Sequence, residues 1–267
     1  MADVLKKIIA EKRIEIDRRR ADASLEELQQ RAGSLPRCRN FYKAATKPNP
    51  RGLNVIAEIK KASPSAGLIR EDFDPVAIAK TYENCRADAL SVLTDEKYFQ
   101  GRLEYIQQVK HAVALPVMRK DFIIDIWQVY ESRLAGADAI LLIADVLKPA
   151  DLMDLMIAAT ELTMTVLLEV HRADTLMNVR SLIGFPKKGN SLLGINNRDL
   201  TTMKVDINTT GRLAALLDNT AELVAESGIK TRADVEKLKS VGVKAVLIGQ
   251  TLCEHPDIEE KFRELFG

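Results

Sequence analysis

Leu134-Ala135-Gly136-Ala137-Asp138-Ala139-Ile140-Leu141-Leu142 reads as the end of a helix, a glycine and an apolar run of strand length. Val241-Gly242-Val243-Lys244-Ala245-Val246-Leu247-Ile248 repeats the phrase near the other end of the chain. Recurrence of helix, glycine and strand is the mark of a repeated βα unit, with the glycine as the helix stop. Ala139–Ile143 and Ala245–Ile248 are thus two strands, and six more apolar runs stand beside them in the sequence. These are Val55–Ala57, Ala89–Leu93, Pro116–Met118, Thr165–Leu168, Leu192–Ile195 and Glu222–Ala225. Each is apolar on consecutive positions, as expected of parallel strands covered on both faces.

The segments between the runs read as helices. Ile126, Val129, Tyr130 and Leu134 follow one amphipathic stripe, and Leu152, Leu155, Met156 and Ala159 follow another. Asp74-Pro75 places an N-cap before a proline at the first helical position, and Thr231 with Asp234 resembles a capping box. Eight such units favour an α/β fold closed as a (β/α)8 TIM barrel over an open doubly wound sheet. Residues 1–52 precede the first strand as an N-terminal helical extension. Val4, Leu5, Ile8 and Ile9 form an apolar face, Ser24 to Glu27 fits a second capping box, and Phe41-Tyr42 begins a third helical turn. This segment is either a cap over one barrel mouth or a lid over the active site. No low-complexity linker sets it apart, so residues 1–267 are expected to form one domain.

Composition narrows the function classes. The chain has 267 residues, 46% hydrophobic and 29% charged, within the size range of such barrels and ordinary for a globular protein. Its 39 Lys and Arg balance 38 Asp and Glu, so no net field recruits nucleic acid or an anionic membrane. The Arg18-Arg19-Arg20 run, beside Asp17 and Asp22, reads as a solvated helix face. Cys38, Cys85 and Cys253 are an odd, widely spaced set, which suits reduced thiols and argues against zinc. His111, His171 and His255 have no partner at ligand spacing and read as packing or surface residues. Without an apolar leader or a run of membrane-spanning length, the chain reads as cytoplasmic.

In such barrels the chemistry gathers at the carboxyl ends of the strands. Glu58 and Lys60 lie two apart and share a side of the first strand. The third strand ends in Arg119-Lys120-Asp121-Phe122, the fifth in Glu169, the sixth in Asn196-Asn197-Arg198-Asp199 and the seventh in Glu226-Ser227-Gly228. A buried ion-pair network is the plain alternative. Charges at so many strand ends, each costing several kcal/mol to bury unpaired, favour a ligand site. Ser227-Gly228 and Gly249-Gln250-Thr251 each precede a helix, and the loops after the last two strands commonly hold phosphate in this fold.

The stretch Ile56-Ala57-Glu58-Ile59-Lys60-Lys61-Ala62-Ser63-Pro64-Ser65-Ala66-Gly67 resembles the signature of the indole-3-glycerol-phosphate synthases. Ser91 to Asp95, Arg119 to Phe122, Leu168 to His171, Gly194 to Leu200, Glu226 to Ile229 and Leu247 to Gly249 extend the likeness, in order, one motif per strand end. Arg102, the segment Asp145 to Asp151 and the basic turn Pro186 to Asn190 depart from the pattern. Arg102 could alter a loop near the second strand; the other two look peripheral.

The resemblance implies a carbon–carbon lyase of tryptophan biosynthesis acting on 1-(2-carboxyphenylamino)-1-deoxyribulose 5-phosphate. The ring carbon bearing the carboxylate attacks the sugar ketone, and carbon dioxide and water then leave. Attack creates an iminium conjugated to that carbon, an electron sink that makes a cofactor or metal unnecessary. By resemblance Lys120 is the general acid for ring closure, and Glu169 and Lys60 carry the later proton transfers. Glu58 supports the lysines, and Asn196 and Arg198 position the hydroxyls and the carboxylate region. Phe122, with Leu141 or Leu142, forms the slot for the aromatic ring. Ser63, Glu226 and Ser227 complete the substrate contacts. Ser227, Gly228, Gly249 and Gln250, with Lys60, hold the phosphate. The partner is then a small phosphorylated substrate, with no nucleic acid or membrane, and a monomer or weak oligomer is expected. The rival enzyme is a phosphoribosylanthranilate isomerase-like barrel, which needs a Cys/Asp acid–base pair. The rival outside catalysis is an inactive barrel that only binds a phosphorylated ligand.

Overall fold

The computed structural model describes residues 3–183, 189–200 and 202–267. Pro186, Lys187 and Lys188 of the basic turn lie outside the described residues. The strands are β1 (Asn54–Ile59), β2 (Ala89–Leu93), β3 (Val117–Lys120), β4 (Ala139–Ile143), β5 (Thr165–Val170), β6 (Ser191–Asn196), β7 (Leu223–Glu226) and β8 (Ala245–Ile248). All pair in parallel with their sequence neighbours, and β8 returns to β1, closing a (β/α)8 TIM barrel. Every apolar run read from the sequence is one of these strands. A small antiparallel hairpin, Ala62–Ser63 with Gly67–Leu68, follows β1.

Strand parity sorts the side chains into two cores. Ile56, Ala89, Met118, Leu141, Leu167, Leu192, Val224 and Leu247 point inward and fill the barrel. Val55, Val92, Val117, Ile140, Leu142, Val166, Ile195 and Val246 point outward beneath the helices. Leu142 therefore cannot line a slot in the mouth, and only Leu141 of that pair can. Arg119 is corrected in the same way. One residue before Lys120, it faces outward and is buried against Asp121, at 3.0 Å, and Glu131, at 2.7 Å.

The caps behave as their residue types require. Asp74, Ser24 and Thr231 each accept backbone N–H bonds at a helix start, the last two as full capping boxes. Gly136 and Gly242 adopt φ of 95° and 89°, a left-handed turn costly to any residue with a Cβ. The Leu152 stripe is buried as its period demands. The Ile126 stripe is buried in part, with Val129 in the core and Ile126, Tyr130 and Leu134 half-buried. In the helix Ile126–Leu134 the buried residues include Trp127, Gln128, Glu131, Ser132 and Arg133, because this helix is covered on its outer face as well.

That cover is the N-terminal extension, made of α1 (Asp3–Arg20), α2 (Leu25–Gly33) and α3 (Phe41–Thr46). Trp127 donates its indole N–H to Ala23 O at 2.9 Å, and Arg133 donates to Pro36 O. Arg19 pairs with Glu131 at 2.8 Å and Arg20 with Asp125 at 2.5 Å. The Arg18–Arg20 run is thus in part a clasp rather than a solvated face. The extension reaches both ends of the barrel. From α3, Phe41 and Ala45 enter the barrel core at its amino end, where Tyr42 N–H bonds Thr165 Oγ1 and Asn54 Nδ2 bonds Ala45 O. From α1, Ile8 joins the same core, Val4 lines the opposite mouth, and Lys12 is buried against Asp121 at 2.8 Å and Asp95 at 3.1 Å.

Candidate active site

Inward positions at the carboxyl ends of the strands open on a cavity of about 780 Å³. Glu58, Lys60, Ser63, Lys120, Phe122, Leu141, Glu169, Asn196, Arg198, Glu226, Ser227, Gly228, Gly249 and Gln250 all line it. Residues from seven strands and their loops thus converge on one chamber of small-molecule size.

Lys120 occupies its centre. Its Nζ lies 2.5 Å from Glu226 Oε2 and 3.2 Å from Glu169 Oε2. Burial alone would lower the Lys120 ammonium, but Glu226 and Glu169 outweigh it and hold the group well above its ordinary value. Burial likewise opposes ionisation of Glu169, yet Lys120, His171 and a hydrogen bond from Asn196 keep it well below the carboxylate range. Glu226 is the weaker anion of the two. Among the described residues its Oε1 has no hydrogen-bond partner, and burial together with repulsion from Glu169 pushes its carboxyl well above the usual range. One ammonium between two carboxyls therefore stays protonated and favours the Glu169 anion over the Glu226 one.

Glycine makes room for this cluster. A Cβ on Gly194 would overlap Glu226 Oε1, and one on Gly249 would lie 2.8 Å from Glu58 Cβ and 3.0 Å from its Cγ. Gly249 was expected as a phosphate glycine; its first structural demand is space for Glu58. Glu58 in turn pairs with Lys60 and accepts from Ser91 Oγ at 3.4 Å.

The other end of the cavity gathers two sharp loop turns and an arginine, an arrangement able to hold an anion. Ser227 and Gly228 both take left-handed φ, 64° and 81°, so the chain turns sharply after β7. Asn197 braces that turn, donating to Ser227 O at 3.1 Å, and Thr251 Oγ1 donates to Ile229 O at 2.6 Å, tying the last two loops together. Arg198 reaches the space between them. Its hydrogen-bond partners among the described residues, Ser65 Oγ, Met203 O and Gln250 Oε1, are uncharged and lie 3.3 to 3.5 Å away. Burial lowers its guanidinium from the ordinary value. A half-buried cation whose guanidinium hydrogen bonds are long and neutral, with Glu58 acting on it as a nearby charge, is favourable for an incoming anion.

Three features went unassigned in the sequence. Phe99 lines the cavity beside Phe122, with ring centroids 6.2 Å apart. Lys230, exposed at the rim of the β7 loop, adds a cation at the anion end. His171 is the third, and the expectation of mere packing is corrected. Its Nδ1 lies 2.9 Å from Asp145 Oδ2 and its Nε2 3.1 Å from Glu169 Oε1. Burial would lower the imidazole, but these two carboxylates raise it to about 10. Asp145 is thereby also corrected, from peripheral to joined with the site. Arg102 is exposed and outside the cavity lining. Cys253 is buried behind β1, its Sγ 3.3 Å from Glu58 O, and does not face the mouth.

The chain matches known proteins over almost its whole length. The family model described as indole-3-glycerol phosphate synthase matches residues 5–265. The chain is 47% identical over 264 residues to an indole-3-glycerol phosphate synthase of Geobacillus thermodenitrificans, covering 99% of this chain and 97% of that one. It is 46% identical over 255 residues to that of Rhodopirellula baltica, covering 96% of this chain and 95% of that one. Among solved structures, a 3-hexulose-6-phosphate synthase aligns with a TM-score of 0.62 at 15% identity, over 80% of this chain and 98% of that one. A tryptophan synthase structure from Pyrococcus furiosus aligns at 0.55 and 12%, over 80% and 97%. At such identities these two speak for the barrel alone.

Proposed function

The chain belongs to the indole-3-glycerol phosphate synthase family, and from that premise we propose how its residues share the work. The enzyme converts 1-(2-carboxyphenylamino)-1-deoxyribulose 5-phosphate into indole-3-glycerol phosphate, carbon dioxide and water, a step of tryptophan biosynthesis. Lys120, seated between Glu169 and Glu226, is the observation that carries the assignment.

Lys120 donates its proton to the ketone oxygen as the carbon–carbon bond forms. An ammonium held this firmly is a weak acid, but the oxygen becomes an alkoxide, a far stronger base than an amine, so the transfer runs downhill as the bond closes. Decarboxylation then returns electrons to the iminium and restores the aromatic ring. Dehydration needs one proton taken from carbon and one given to the departing hydroxyl. Glu169, an anion in the resting site, takes the first. Lys60, beside Glu58, gives the second. Phe122, Leu141 and Phe99 hold the aromatic ring, while Arg198 and Ser63 attend the carboxylate and hydroxyls. The turns Ser227-Gly228 and Gly249-Gln250 direct backbone N–H groups at the phosphate. The scheme calls on no metal or cofactor. The near-neutral charge and the three separated free thiols support a cytoplasmic monomer or weak oligomer that binds neither nucleic acid nor membrane. Among the described residues no helix is long and apolar enough to cross a membrane.

The reading is tested by incubating the protein with this substrate and following indole fluorescence together with released carbon dioxide. Both signals should rise together. Binding of the substrate without either would support the inactive barrel instead.

A further inference from the structure

We propose that Asp145 and His171 are a positioning pair for the reaction, holding Glu169 from behind so that its carboxylate stays aimed at Lys120. This rests on the reading of Glu169 as the base of the dehydration step.

Strand pairing brings the three residues together. Ile143 of β4 is opposite Glu169 of β5, so the residues just beyond the two strands, Asp145 and His171, stand side by side. The two oxygens of Glu169 are then held from opposite sides. Oε2 is 3.2 Å from Lys120 Nζ inside the cavity, and Oε1 is 3.1 Å from His171 Nε2 behind it. Among the described residues His171 Nε2 is buried without a hydrogen-bond partner, and Glu169 Oε1, 3.1 Å away, is its counter-charge on that side. On the other side Nδ1 meets Asp145 Oδ2 at 2.9 Å. Asp145 is itself anchored, its Oδ1 accepting from Thr175 Oγ1 at 2.7 Å with Arg172 at 3.5 Å. The row runs from a small surface depression lined by Asp145, Arg172 and Thr175 to the floor of the active site.

A base that must remove a proton from carbon has to be ionised, and Glu169 shares its ammonium with Glu226. Whichever carboxyl has the better second partner takes the charge. Among the described residues Glu226 Oε1 has no hydrogen-bond partner, whereas Glu169 Oε1 has the imidazolium Nε2 at 3.1 Å as an ion-pair partner. Every charged group facing the row has a side in this competition. Lys120 and His171 favour the Glu169 anion, Glu226 opposes it, and Asp145 and Arg172 act on His171 from outside. Asp145 thus counts twice, holding the ring in place and keeping it positive.

The test uses His171→Asn, which removes the charge, and Asp145→Asn, which keeps an acceptor for Thr175. Single-turnover rate against pH, KM for the carboxyphenylamino deoxyribulose phosphate, and melting temperature are measured for each. Loss of one opposite charge at this range moves a carboxyl by about one pH unit or more, so the acid limb of the His171→Asn profile should rise by that amount. Asp145→Asn should shift it in the same direction and by less. KM should stay within about threefold, since a group acting through Glu169 alters the chemical step rather than binding. Acid limbs unchanged in both variants would overturn the proposal, whatever their rates or melting temperatures. Glu169→Gln separates this failure from the other. If it turns over normally, the reading of Glu169 fails and the pair with it. If it is inactive while the limbs stay put, only the pair fails.

Discussion

Gly194→Ala separates a working cluster from a merely structural one. Gly194 lies on β6 opposite Glu169, and its backbone is one that alanine adopts freely. The added methyl would overlap Glu226 Oε1 and stand 3.2 Å from Leu167 Cδ1 and 3.5 Å from Glu169 Cα. Leu167 can yield a few tenths of an ångström. Glu226 must move further: restoring an ordinary contact of about 3.3 Å to an oxygen withdraws the carboxylate by about 1 Å. The Lys120–Glu226 contact, now 2.5 Å, would then open to about 3.5 Å, the outer limit of a hydrogen bond. Only the end of a flexible side chain shifts, and replacing glycine recovers about 0.4–1 kcal/mol of unfolded-state entropy. The net stability change should therefore be small, about 1 kcal/mol, or a melting shift of about 2–4 °C. Displacement by about 1 Å within a catalytic cluster costs about 10²-fold in rate. Single-turnover kinetics beside a melting curve reads both quantities. A rate within about threefold of wild type would refute the reasoning. So would a rate that falls only as the fold itself is lost.

Gly249→Ala presses on Glu58 Cβ and Cγ, which cannot swing aside, so it should cost about 1–3 kcal/mol of overpacking and weaken phosphate-substrate binding as well. Lys12→Met leaves buried Asp121 and Asp95 short of a counter-charge and should destabilise by about 3–5 kcal/mol in denaturant titrations at neutral pH. The same variant should flatten the acid side of the stability curve. Burial opposes the Asp121 anion, but Lys12 and Arg119 outweigh it and hold its pKa well below the usual range. Its contribution is complete above the unfolded value near 4 and is lost as pH falls toward the depressed folded one. Leu141→Ala should raise KM, whereas Leu142→Ala should leave KM alone and cost about 2–5 kcal/mol of stability, because strand parity puts one in the cavity and the other in the outer core.

The strands were legible because parallel strands buried on both faces must be apolar on consecutive positions, and all eight runs met that demand. Single faces were less legible. Consecutive apolarity hides parity, which is why Leu141 and Leu142 could not be told apart, nor the outward Arg119 from the inward Lys120. The Ile126–Leu134 helix misled for a related reason. An amphipathic stripe assumes water on the far side, and here α2 and its flanking residues cover it, burying Trp127, Glu131 and Arg133. In the candidate site, residues with one strong chemical meaning, Lys120, Glu169 and Glu58, stood out at strand ends. His171 was missed because its partner Asp145 lies on a different strand end, and only the β4–β5 register brings the two together. Gly249 was read as a donor to phosphate, whereas its missing Cβ is also the space that Glu58 fills.

The central claim is that Lys120 gives its proton to the ketone as the indole ring closes. Single-turnover conversion of 1-(2-carboxyphenylamino)-1-deoxyribulose 5-phosphate by Lys120→Met, followed by indole fluorescence with substrate binding measured in parallel, tests it most directly. The account predicts a rate at least about 10²-fold below wild type, as for a lost general acid, with the substrate still bound. Ring closure at the wild-type rate would contradict it.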